Sequence, residues 1–169
     1  MQRIWLALEW AILFLGLPLL YFFEIIPLPK LLGLAAFTLL IVILLIRERT
    51  FSFRKACSLK TISSDEWRKL LIRATIIIPS IIIFSYVVTP STFLTFPLEA
   101  PLIWLMVMFF YPLFSAIPQE IIYRGFFFVR YRRLFGTSHL LILMSALSFG
   151  YLHIIYDSFI SIALTFLAG

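Results

Sequence analysis

Uninterrupted apolar runs, each near the length of a membrane crossing, recur along almost the whole of this chain, and no other feature constrains its fold as tightly. A helix needs about 20 apolar residues to cross about 30 Å of hydrocarbon. Inside a bilayer the backbone N–H and C=O groups must be satisfied within the segment itself, so such runs are read as helices. They fall at residues 4–23, 31–46, 70–88, 102–129 and 138–155, with a partial run at 159–169. With 63% hydrophobic and 13% charged residues, the chain lies outside the range of ordinary soluble domains. The expectation is an all-α, polytopic transmembrane helical bundle in which residues 1–169 form a single multi-pass membrane domain.

The polar residues punctuate those runs. Pro27 and Pro29 separate the first two, and Pro112 and Pro118 are placed to kink or divide the long run at 102–129. Ser63-Ser64-Asp65-Glu66 has the spacing of a capping box, so the third helix should start near Ser64 and reach Val88. The net charge of +6 does not imply nucleic acid, because the basic residues cluster beside apolar spans, where they contact anionic lipid and set orientation. The basic segment from Arg47 to Lys69 and the cluster Arg130, Arg132 and Arg133 are expected on the cytoplasmic side, together with the N-terminus. Thr89 to Pro101, without Lys or Arg, should lie outside. Met1-Gln2-Arg3 precedes a run long enough to span and no small-residue cleavage site follows, so it reads as a helix and not a removed signal. Cys57, the single cysteine, cannot form an internal disulfide and is expected as a reduced thiol. Residues 159–169 are too few to span, so the chain is expected to continue, or that piece to pack as a half-helix.

Ionisable groups at membrane depth are costly, which makes Glu120, Arg124 and His153 the first candidates for function. Glu120 and Arg124 are four apart and share a helix face, as do Phe149 and His153 on the following helix. At the helical rise per residue, Glu120 lies roughly 15 Å and His153 roughly 20 Å from their common end. That difference is about one turn, within the reach of tilt and side-chain length. A carboxylate and an imidazole in an apolar, water-restricted cavity can activate water against a carbonyl, with Arg124 holding the carboxylate. Spacing alone equally fits a buried ion pair that locks two helices together, and a satisfied core histidine. Asp157, one turn beyond His153, is either an orienting partner or an outer-loop acid. Glu9 lies near the cytoplasmic end of its helix and within reach of headgroups, and Phe126, Phe127, Phe128 and Tyr131 are expected to face lipid or the interface.

The run Gln119-Glu120-x-x-x-Arg124-Gly125-Phe126, followed on the next helix by Phe149-x-x-x-His153, resembles the first two motifs of the CAAX protease and bacteriocin-processing family of intramembrane glutamic endopeptidases. The resemblance covers roughly residues 100–169, a family-like catalytic core that is incomplete at its C-terminal end because the family's further histidine motif does not appear before Gly169. It implies hydrolysis of a peptide bond in a membrane-associated protein, prenylated or bacteriocin-type, in a bacterial inner membrane. Glu120, Arg124 and His153 would be catalytic, while Gln119 and Phe149 would position water or substrate.

One departure bears on the chemistry. The family pattern has paired glutamates where this chain has Gln119 then Glu120, and an amide cannot accept a proton as a carboxylate does. Adjacent helical positions differ by about 100°, so Glu120 does not simply take the place of the first glutamate. No cofactor and no metal is expected: the chain has no H-E-x-x-H and only two histidines, His139 and His153, of which His139 sits beside a turn. Partners are membrane lipids and a peptide or protein substrate, not nucleic acid. The alternatives are a non-catalytic immunity or interaction protein on the same scaffold, and a small transporter using Glu120 and Arg124 as coupling groups.

Overall fold

A computed structural model describes residues 2–48, 63–137 and 139–169; Cys57 and most of the basic segment that follows Arg47 lie outside the described residues. Every described element is helical, as expected. The helices are α1 (Gln2–Phe22), α2 (Lys30–Arg47), α3 (Ser64–Val88), the short α4 (Thr95–Glu99), α5 (Pro101–Arg130), the short α6 (Arg132–Phe135), α7 (His139–Tyr156) and α8 (Phe159–Ala168). Five of them, α1, α2, α3, α5 and α7, are long and apolar enough to cross a membrane. This is an integral membrane protein.

Local chemistry sets the boundaries. Ser63 and Glu66 form the expected capping box: the Glu66 N–H donates to Ser63 Oγ at 3.3 Å, and the Ser63 N–H donates to Glu66 Oε2 at 2.7 Å. Two of the amides that a helix start leaves free are thereby satisfied. α1 stops where Glu24 turns to the left-handed region at φ 56°, ahead of Pro27 and Pro29. α7 stops in the same way at Asp157, φ 50°. Ser158 then caps α8, its Oγ accepting from the Ser161 N–H.

The chain divides into two compact units, residues 1–51 with 111–169, and residues 52–110. The second holds α3, a 3₁₀ turn at Pro90–Thr92, α4 and the start of α5. None of the α3 side chains is buried. Its isoleucines present an apolar surface of the kind lipid tails cover. Tyr86 meets Phe93 edge-to-face at 5.3 Å where α3 turns back.

The first unit is built around Phe14 of α1, which has no exposed surface. Edge-to-face contacts at 5.2–6.0 Å join its ring to Phe37 of α2, to Tyr123 and Phe127 of α5 and to Tyr131. Phe126, Phe127 and Tyr131 are themselves fully buried. This corrects the expectation that they face lipid: they form the seam between α5 and α1, and each edge-to-face pair adds roughly 0.5–1.5 kcal/mol beyond its burial. Two serines add directional bonds. Trp10 Nε1 donates to Ser148 Oγ at 3.1 Å, tying α1 to α7, and Ser145 Oγ donates to the Tyr123 carbonyl at 2.7 Å, tying α7 to α5.

Glu9 is likewise not a headgroup-reaching acid. Arg130 grips it with two bonds, Nε to Oε1 at 2.9 Å and Nη2 to Oε2 at 2.7 Å, and donates from Nη1 to Glu48 at 2.5 Å. The Tyr131 hydroxyl adds a bond to Glu9 at 3.2 Å. Burial, then the charge of Glu9, pushes that phenol above its ordinary range, so it stays a donor. One guanidinium thus joins α1, two turns in from its start, to the ends of α2 and α5. At the opposite end of the unit, Lys30 of α2 donates to the Ile155 carbonyl at 2.8 Å and lies 4.7 Å from the Tyr156 ring centre. A cation there satisfies one of the free carbonyls at the end of α7.

Candidate active site

α5 is not a regular helix where the candidate residues sit. Pro112 opens a π-helical turn, Pro112–Ala116; a single α-helical turn, Ile117–Glu120, follows; a second π turn runs Ile121–Phe126. Proline removes an amide from the hydrogen-bond ladder, and π turns, frequent at functional sites, change which residues face a neighbouring helix. The motif lies across these irregular turns.

Glu120 and Arg124 pair across one turn, Arg124 Nη1 donating to Glu120 Oε2 at 3.1 Å. The other arm of the guanidinium, Nη2, donates to the Ala168 carbonyl at 2.7 Å and so ties the motif to α8. Both side chains remain about half-exposed, at 55% for Glu120 and 53% for Arg124. The carboxylate is thus open at the surface of the described residues while its charge is balanced.

His153 is buried at the first residue of the 3₁₀ turn that ends α7. Its Nδ1 lies 2.9 Å from the Phe149 carbonyl. A carbonyl only accepts, so this contact requires the hydrogen on Nδ1 and leaves the lone pair of a neutral ring on Nε2. Phe149 stacks edge-on against His153 and tilts against Tyr123, each at 5.0 Å between ring centres. His153 is thus held by Phe149, not by Asp157.

Two cavities meet at this point. The smaller, about 200 Å³, is lined by Glu120, Arg124, Gln119, Tyr123, Phe149 and Ser145 and is closed at one side by Ala168 and Gly169. The larger, about 560 Å³, is mainly apolar and lies between α1, α2, α5 and α7; its polar lining includes Tyr21, Lys30, Gln119, Tyr123, His153 and Tyr156. The structure therefore brings Glu120, Arg124 and Phe149 into one cavity and His153 into its neighbour. Gln119 and Tyr123 line both. Gln119 is itself held, its amide nitrogen donating to Ser115 Oγ at 3.2 Å.

Sequence reasoning missed Tyr21, Ser115 and Tyr123. Ser115, Gln119 and Tyr123 recur every four residues, a polar line on an otherwise apolar helix, and that spacing was a usable signal. Tyr21 had none. Its hydroxyl is buried without a hydrogen-bond partner among the described residues and lies against Gly33 at the wall of the larger cavity. His139, by contrast, is exposed.

Residues 100–169 match the family described as Type II CAAX prenyl endopeptidase Rce1-like. The resemblance carried by the Gln119–Phe126 and Phe149–His153 motifs is borne out over that stretch, which contains Gln119, Glu120, Arg124, Phe149 and His153. The match supports a protease of the CAAX type acting on a peptide or protein substrate at the membrane. No curated protein and no solved structure matches the chain.

Proposed function

We propose that the protein is an intramembrane endopeptidase that hydrolyses a peptide bond of a membrane-associated protein, prenylated or bacteriocin-type, with water activated by glutamate. The observation that carries this reading is a balanced but open carboxylate, Glu120 with Arg124, lining a cavity that shares a wall with the His153 cavity, inside the stretch that matches the protease family.

Substrate enters the larger cavity from the bilayer and lays its scissile peptide group along the Gln119 and Tyr123 wall. Glu120 accepts a proton from water as the oxygen attacks the carbonyl carbon. Arg124 keeps the carboxylate in place and its charge compensated. Glu120 returns that proton to the departing amine as the C–N bond breaks, while His153, with Nδ1 committed to Phe149, offers its Nε2 lone pair from the neighbouring cavity as a hydrogen-bond acceptor for the substrate. Gln119 orients the water or the carbonyl through its amide, and Phe149 holds the imidazole ring. The products are a new carboxyl terminus and a new amino terminus. In this reading the N-terminus and the arginine-rich ends face the cytoplasm, and the enzyme sits in a bacterial inner membrane.

The test is reconstitution. Protein in liposomes is incubated separately with a farnesylated peptide and with a bacteriocin-type leader peptide, and new termini are sought by mass spectrometry. One defined cleavage site in either substrate is expected. Intact substrates after prolonged incubation, with correctly folded protein, would overturn the proposal.

A further inference from the structure

A third cavity lies at the other end of the first unit, where α1 begins and α2 and α5 end. It is a notch of about 580 Å³ whose lining includes Trp5, Glu9, Glu48, Arg130, Arg132 and Arg133. Its charges do not cancel. Both carboxylates are taken by Arg130, which they grip with three bonds. Arg132 and Arg133 are exposed beside them.

No carboxylate of the first unit is left for these two arginines. The remaining acids of that unit are Glu24, Glu120 and Asp157. Glu120 pairs with Arg124, and Glu24 and Asp157 follow the far ends of α1 and α7. Residues 49–62 contain no Asp or Glu either. Within the first unit Arg132 and Arg133 therefore carry positive charge that no carboxylate of that unit balances.

The surroundings say which kind of anion would balance it. The notch sits at the ends of membrane-spanning helices, and Trp5 on its wall is 71% exposed, as an aromatic at the headgroup level is. Beside its charged groups the notch has an apolar wall made by Trp5 and Leu6 of α1 and by Phe128 and Val129 of α5. An anion that also carries a long apolar chain satisfies both features.

We propose that this notch seats one anionic phospholipid, with its phosphate between Arg132 and Arg133 and the start of an acyl chain against Trp5, Phe128 and Val129. Guanidinium forks match phosphate oxygens two at a time. Thr137 and Gln2, also on the wall, supply uncharged hydrogen-bonding groups for a glycerol headgroup. Glu9 and Glu48 repel an anion, but their charge is spent on Arg130, which confines the phosphate to the side of the notch formed by Arg132 and Arg133.

Native mass spectrometry of the detergent-solubilised protein, titrated with phosphatidylglycerol or phosphatidylcholine, tests this. The wild type should retain one phosphatidylglycerol at a concentration on the order of tenfold below that needed for phosphatidylcholine. Arg132→Gln combined with Arg133→Gln should abolish that preference while helical content by circular dichroism stays unchanged. Arg68→Gln, an exposed arginine on α3, should leave it intact. An unchanged preference in the double variant, an equal loss in the Arg68 variant, or displacement of the lipid by inorganic phosphate would each overturn the proposal.

Discussion

Glu120 and His153 line neighbouring cavities and not a common one, with Gln119 and Tyr123 forming the wall between them. The position where the family pattern carries its first glutamate is therefore one of the two that border both cavities, and in this chain it is an amide. Gln119→Glu is expected to raise the cleavage rate on the order of tenfold or more, by placing a proton acceptor beside His153 as well as Glu120. Gln119→Leu, which loses the bond to Ser115, should lower it. Initial rates with a quenched fluorescent peptide in liposomes distinguish the two directions.

Arg130 is expected to be the most sensitive charged residue for stability. Replacing it with methionine leaves Glu9 and Glu48 facing each other, both less than one third exposed, and should cost about 2–4 kcal/mol. Combining that change with Glu9→Gln and Glu48→Gln should recover most of the loss, since the penalty comes from unpaired charge. Unfolding in detergent, followed by circular dichroism, gives both values.

Gly150 marks the close approach of α7 to α8. A Cβ there would lie 2.9 Å from Phe166 Cβ and 3.2 Å from the Ile162 carbonyl oxygen. Both are backbone or next to it, so the helices must separate. Gly150→Ala should destabilise the protein by about 1–3 kcal/mol despite alanine's better helix propensity, measured in the same unfolding assay.

The helical fold was legible because hydrophobic length is a local property: Ser63 and Glu66 announce the start of α3, and a chain this apolar cannot leave backbone groups unsatisfied in lipid. The interior was not. Phenylalanine is equally at home in lipid and in a protein core, so nothing in the residues distinguishes the buried Phe126 and Phe127 from the exposed Phe109. The Glu9–Arg130–Glu48 cluster joins side chains far apart in sequence, beyond any periodicity. At the candidate site, the i,i+4 pairing of Glu120 with Arg124 was readable, and the pair forms. The assignment of His153 to the cavity shared with Gln119 was not, because projection at 3.6 residues per turn does not hold through the π turns of α5.

The central claim is that the Glu120 carboxylate activates the attacking water. Single-turnover cleavage of a peptide substrate by wild type and Glu120→Gln in liposomes, at matched helical content and stability, measures it directly. A fall of about 10²–10⁴-fold in the rate of bond cleavage, with substrate binding little changed, is the expected result. Equal single-turnover rates for the two proteins would contradict it.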